Sequence, residues 1–126
     1  MIIGVGTDIV MINRIEKIYD LYGLKFLRKI LSFQELKYIQ KIFNKRLKMQ
    51  KIATRFAAKE AIIKALPSKK IFRYTQFQVK NLVSGKPFIK IDKSLNEYFS
   101  VIKAKKFHLS LSHEKDYAIA FVTITS

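Results

Sequence analysis

The sequence predicts an α+β domain in which a mostly antiparallel sheet packs around one long central helix. Three observations carry that expectation. Apolar residues recur at helical spacing from about Lys48 to Leu66, and the stretch "TQFQVKNLV" then switches to alternation. Near the end, "FHLSLSH" and "YAIAFVTI" flank the residues "EKD", which reads as a hairpin.

In chain order, "MIIGVGTDIVMI" reads as an opening strand, alternating Ile3, Val5 and Thr7 with Ile2, Gly4 and Gly6 before a buried apolar run. Asn13 and Glu16 have capping-box spacing with Asn in the capping place, so a short helix is expected from there. Ser32 and Glu35 in "SFQE" give a second such signal, opening a helix with Leu36, Ile39 and Phe43 on one stripe. The third helix carries Ile52, Phe56, Ile63 and Leu66 on its apolar side, and Pro67 marks its end. "TQFQVKNLV" and "GKPFIKID" then form strands joined across a turn, with "GKP" at 85–87 as a β-turn with a basic tip. Ser94 with Glu97 opens another helix near "SLNEYFSVI". The predicted order is β-α-α-α-β-β-α-β-β.

Residues 1–126 suit one domain, and 49% apolar residues suffice for a core. No stretch approaches the roughly eighteen uncharged apolar residues of a membrane span. The opening residues lack a basic region and include Asp8, so they do not read as a signal peptide. The absence of cysteine excludes disulfides and thiolate metal sites and fits a reducing compartment. His108 and His113 are too few for a His-based metal cage. A soluble cytoplasmic protein is expected. The net charge of +16 names a class of partner: nucleic acid, an anionic membrane surface, an acidic protein or a phosphate-rich small molecule. Composition alone would favour a nucleic-acid-binding module, but no RNP-like, KH-like or helix-turn-helix pattern is evident, and such binding gives no reason for Asp8 and Glu60.

Two acids stand out in so basic a chain. Asp8 lies in an apolar strand, where an unpaired carboxylate is costly; it either caps a turn or bridges a Lys or Arg, or it binds a metal. Glu60 shares a helix face with Ala53, Phe56, Ala57, Ile63 and Lys64, and an ordinary Glu60–Lys64 pair at i, i+4 would account for it locally. Taken together, the two carboxylates suit a hard cation such as Mg²⁺, which prefers one or two carboxylates, waters and substrate phosphate oxygens. Arg55 and Lys59 form one helical stripe, which is either a solvated basic face or a phosphate-binding surface. His113 shares a strand side with Phe107, Leu109 and Leu111 at the strand's end, and Ser112 adds a small polar group beside the turn.

Four segments, "GVGTDIVMINRI", "RFAAKEAIIKAL", "GKPFI" and "LSLSHEKDYAIAFV", occur in the order and spacing of the holo-acyl-carrier-protein synthases. These are the small trimeric branch of the 4′-phosphopantetheinyl transferases. The resemblance extends over essentially the whole chain, and its middle motif is specific: an aromatic, then Lys-Glu, then Lys four residues after the Glu.

That resemblance implies the 4′-phosphopantetheinyl transferase fold and a reaction. The family moves 4′-phosphopantetheine from coenzyme A to a serine of apo-acyl carrier protein, in fatty acid biosynthesis, releasing adenosine 3′,5′-bisphosphate. By motif match, Asp8 and Glu60 are its Mg²⁺ ligands. Glu60 takes part in serine deprotonation, directly or through a metal-held water, and Lys64 lies near the pyrophosphate. Arg55, Lys59 and His113, with Ser112 adjacent, match positions around the coenzyme A phosphates; Arg46 and Lys48 are candidates for its 3′-phosphate. Arg14 matches the helix that docks the acidic carrier, with Lys17, Lys25 and Arg28 as neighbouring candidates. The resemblance also implies a homotrimer with active sites at the subunit interface. One departure is visible: relatives carry a Gly-rich stretch resembling "GTGI" after the central helix, where this chain has "PSKKIFRYTQF". No residue of that stretch is carried over.

Overall fold

The computed structural model describes residues 1–67 and 69–126. Its first strand, β1 (Ile2–Met11), runs straight into α1 (Ile12–Tyr22), followed by α2 (Leu24–Ile30), α3 (Phe33–Gln40) and the long α4 (Lys45–Ala65). Strands β2 (Phe77–Asn81) and β3 (Pro87–Ile91), helix α5 (Asn96–Val101), and strands β4 (Lys106–His113) and β5 (Tyr117–Thr125) complete the chain. The antiparallel strands form two sheets: β1-β5-β4, with β5 central, and the β2-β3 hairpin. The α+β class with a long helix packed on antiparallel strands is as expected, divided between two sheets.

Composition explains how closely α4 lies on the larger sheet. Ala57, Ala58, Ala61 and Ala65 of α4 and Ala118 and Ala120 of β5 are all buried. On β1, Gly6 and Val10 are buried and Gly4 and Asp8 half-buried, whereas Val5, Thr7, Ile9 and Met11 are exposed. A Cβ on Gly4 would lie 1.7 Å from the Ala65 carbonyl oxygen, and one on Gly6 would lie 1.9 Å from that of Ala61. Glycine is therefore required at both positions by contact with the helix backbone.

Several sequence signals are seen at their expected places. Ser32 accepts from the Glu35 amide while the Glu35 carboxylate accepts from the Ser32 amide, completing the α3 capping box. The β4–β5 hairpin turns through Glu114–Asp116, closed by Glu114 N–H donating to Tyr117 O. Asn44 caps α4 through the Leu47 amide at 2.9 Å, so that helix begins three residues before the expected Lys48.

Other signals differ. Asn13 caps nothing: α1 starts at Ile12 with extended Met11 before it, and Glu16 pairs with Lys45 at 3.5 Å instead. Phe43 is fully exposed because α3 ends at Gln40, short of the expected stripe. Ser94 is not the cap of α5; Asp92 caps the preceding 3₁₀ turn Lys93–Leu95 by accepting from the Ser94 amide at 3.1 Å. Helix α2 adds an element to the predicted order. Gly23, at φ 53°, ends α1 by donating to Tyr19 O at 2.7 Å and lets α2 turn back, burying Leu27 and Ile30.

The β1–α4 approach yields a prediction. Gly6→Ala should lower unfolding stability by about 3 kcal/mol, the upper range for overpacking, as a shift in the urea midpoint. An unchanged midpoint would show that β1 and α4 can separate freely.

Candidate active site

The site grows out of that seam. Beyond Gly4 and Gly6 on β1's inner face comes Asp8, paired across the ladder with Ala120, whose small side chain leaves room beside it. One Asp8 oxygen, Oδ1, accepts from Lys64 Nζ at 2.8 Å, and the same ammonium donates to the Thr7 carbonyl at 3.2 Å. The Asp8 side chain is 15% exposed, so this ion pair is partly shielded from solvent. Lys64 thus pairs across the seam, and no Glu60–Lys64 ion pair is found among the described residues.

Glu60 has a different partner. Its Oε1 accepts from the Tyr74 hydroxyl at 2.5 Å, and Tyr74 opens a 3₁₀ turn, Tyr74–Gln76, between α4 and β2. The Tyr74 ring lies 5.6 Å from that of Phe56, four residues before Glu60 and on the same helix face. Burial, the bond to Glu60 and the nearby Glu60 and Asp8 charges push the Tyr74 pKa up to about 12. Tyr74 is therefore a neutral, protonated donor at physiological pH. Sequence reasoning missed it: it lies in the segment "PSKKIFRYTQF", and no periodicity links it to α4.

Among the described residues, no group of three or more His, Cys, Asp or Glu could hold a metal. Asp8 and Glu60, both oxygen ligands and each with one oxygen that accepts no hydrogen bond from a described residue, match the sparse protein ligation that Mg²⁺ favours.

Arg55 and Lys59 share a stripe, as their spacing requires, but it faces Glu35 of α3 rather than solvent. Lys59 is fully buried; it donates to Glu35 Oε1 at 2.5 Å and to the Ile30 carbonyl. Arg55 is 5% exposed, with Nε 3.7 Å from Glu35 Oε2 and its guanidinium 5.0 Å over the Tyr38 ring. Glu35 Oε2 also accepts from the Val79 amide, so a single carboxylate ties α3, α4 and β2. Burial pushes the pKa values of both Lys59 and Arg55 down, against the pull of Glu35. The capping box revealed Glu35, but nothing in the sequence pattern marked it as a buried counter-charge. A cavity of about 500 Å³ lies beside it, lined by Arg55, Lys51, Tyr38 and Gln78 among others.

The remaining predicted residues are at the surface. Arg46 donates to the Lys115 carbonyl at 2.6 Å, which brings the start of α4 to the β4–β5 turn. Lys48 lies 5.6 Å over the Tyr19 ring. Ser112 and His113 are exposed and border a small cavity of about 210 Å³ with Ile9, Tyr117 and Ile119. Arg14 and Lys17 project from α1, and Lys25 and Arg28 from α2, all exposed; Lys25 also lines a groove with Ile18, Tyr22, Phe26 and Lys29. Glu60 and Lys64 thus engage Tyr74 and β1, while Arg55 engages α3 and Lys59 both α2 and α3.

Comparison with known proteins gives the family. Residues 4–122 match the model of the 4′-phosphopantetheinyl transferase superfamily. The chain belongs to that superfamily. It is 43% identical over 125 residues to a holo-[acyl-carrier-protein] synthase of Thermodesulfovibrio yellowstonii, covering 99% of this chain and 100% of that protein. The crystal structure of the Neisseria meningitidis holo-[acyl-carrier-protein] synthase superposes with a TM-score of 0.92, at 30% identity and full coverage of both chains. A Helicobacter pylori holo-[acyl-carrier-protein] synthase, solved in complex with coenzyme A, gives 0.81 at 30% identity, covering 96% of this chain and 99% of that one. The matched span of residues 4–122 includes Asp8, Glu60, Lys64 and Tyr74.

The buried cluster generates its own prediction. Glu35→Gln leaves the Lys59 ammonium without its counter-charge and should cost about 3–5 kcal/mol in denaturant unfolding. Glu16→Gln, at the exposed Lys45 pair, should cost under about 1 kcal/mol in the same measurement. Equal costs would contradict the different environments of the two carboxylates.

Proposed function

We infer that this chain transfers 4′-phosphopantetheine from coenzyme A to a serine of apo-acyl carrier protein, giving holo-acyl carrier protein and adenosine 3′,5′-bisphosphate. The carrier so loaded serves fatty acid biosynthesis. The observation that carries the reading is the Asp8–Lys64 pair across the β1–α4 seam, with Glu60 of the same helix bonded to Tyr74, whose hydroxyl feels both carboxylates, within a superfamily match over residues 4–122. The 126 residues act as one transferase domain in the cytoplasm.

In this reading, the serine oxygen attacks the phosphorus that bears the pantetheine arm. The bond from that phosphorus to the bridging oxygen breaks, and adenosine 3′,5′-bisphosphate leaves with the electron pair. Asp8 and Glu60 hold Mg²⁺, which when bound neutralises charge on the pyrophosphate. Glu60 takes part in removing the serine proton, and the Lys64 ammonium, 54% exposed and in reach of the same site, adds positive charge beside the pyrophosphate. Arg46, Lys48, Arg55, Ser112 and His113 form the proposed coenzyme A contacts. Lys59 is left out, because its ammonium is fully buried against Glu35. Arg14, Lys17, Lys25 and Arg28 supply the basic surface for the acidic carrier, favouring rapid encounter.

We further propose that the chain works as a homotrimer through the outer face of the larger sheet. Val5, Ile9, Met11, Tyr117, Ile119 and Phe121 are all at least 41% exposed there, with Ile9 paired to Ile119 and Met11 to Tyr117 across the ladder. An apolar band of this kind on a basic protein calls for a cover. Ser112 and His113 border the same band, so a partner seated on it would complete the coenzyme A site.

Incubation with coenzyme A, Mg²⁺ and apo-acyl carrier protein should raise the carrier's mass by one phosphopantetheine arm, and a chelator should prevent the gain. No gain with several carriers would overturn the activity. Asp8→Asn should reduce turnover by about 10²-fold or more with its unfolding midpoint little changed; near-normal turnover would remove Asp8 from the metal site. Light scattering should give the wild-type mass of a trimer and a monomer for Ile119→Asp. A monomeric, fully active wild type would sink the trimer.

A further inference from the structure

Each of the two site carboxylates is held by one oxygen only. Asp8 Oδ1 is held by Lys64, and Glu60 Oε1 by Tyr74, while Asp8 Oδ2 and Glu60 Oε2 accept no hydrogen bond from a described residue. The Glu60 partner is itself well anchored. Phe56 packs against the Tyr74 ring, and the turn that carries Tyr74 is closed by Gln76 N–H to Arg73 O and by Arg73 N–H to Gln76 Oε1. Asp92 N–H donates to Gln76 O, and Gln76 Nε2 to Ser94 Oγ, fastening the turn to the end of β3. The ring is thus positioned by α4 on one side and by the β2–β3 hairpin on the other.

Resting on the metal-dependent reading above, we propose that Tyr74 is a positioning residue for the metal: its hydroxyl holds Glu60 Oε1 so that Oε2 is presented, beside Asp8, to a divalent cation. A neutral donor suits this task. It orients the carboxylate without bringing a second positive charge against the cation, as an ammonium would. Partners of this kind fix the rotamer of a metal-ligating side chain, and their removal typically weakens metal affinity about 10–100-fold.

The test uses Tyr74→Phe, which keeps the ring and its Phe56 contact and removes only the hydroxyl. Mn²⁺ is titrated into the wild-type enzyme and the variant, each with coenzyme A and without carrier, and bound metal is read by electron paramagnetic resonance. The expected result is at least about tenfold weaker Mn²⁺ binding in Tyr74→Phe. Turnover should be largely restored at high Mg²⁺, with the thermal midpoint close to wild type. Phe56→Leu, which loosens the ring packing but leaves the hydroxyl, should weaken Mn²⁺ binding far less. Mn²⁺ affinity within twofold of wild type in Tyr74→Phe would overturn the inference, as would equal losses in the two variants. Wild-type enzyme that binds no Mn²⁺ beside coenzyme A would instead overturn the metal reading, and this inference with it.

Discussion

The seam between β1 and α4 is the constraint on which the rest of the molecule depends. Two glycines on the strand meet the carbonyl oxygens of Ala61 and Ala65, and alanines line the helix and the neighbouring β5. With no side chain in the way, backbone packs on backbone at close range. Lys64 can therefore span from the helix to Asp8 and Thr7 within ordinary hydrogen-bond distance. A larger residue at Gly4 or Gly6 would act on the chemistry as well as on the core, because it would lengthen the reach between the strand's carboxylate and the helix's charged groups.

α4 carries charge on two faces with opposite fates. The Lys59 and Arg55 face is sunk against Glu35, while the neighbouring Glu60 and Lys64 face meets Tyr74 and β1. Burying ions gains little net stability, since desolvation offsets much of the attraction. It does make rotation of the helix expensive: turning Lys59 away from Glu35 would leave both charges buried and unpaired. Glu60 is the next residue along, so the same restraint limits where its carboxylate can point.

How much of this was legible in the sequence depended on the range of each interaction. The Ser32–Glu35 capping box, the "EKD" hairpin and the central helix rest on local spacing, and the structure has them where the residues put them. Local spacing also misled. Asn13 and Glu16 have the separation of a cap, but Glu16 is drawn to Lys45 from another helix. Lys64 is four residues from Glu60, yet it reaches to Asp8, because the strand lies closer to its ammonium than helical periodicity can report. Asp8 and Glu60 were conspicuous as acids in a basic chain. Tyr74 and the buried role of Glu35 were not, since each is defined by a partner on a distant element.

The position of β5 in the larger sheet bears on how the molecule comes into being. It is the last described element, yet it lies between β1 and β4 and bonds both along their length. In this sheet β1 pairs with β5 alone, the strand furthest from it in sequence. Pairing at such sequence separation is slow compared with local helix formation. The carboxylate on β1 is paired with Ala120 of that strand, so its surroundings are complete only once β5 has joined the sheet.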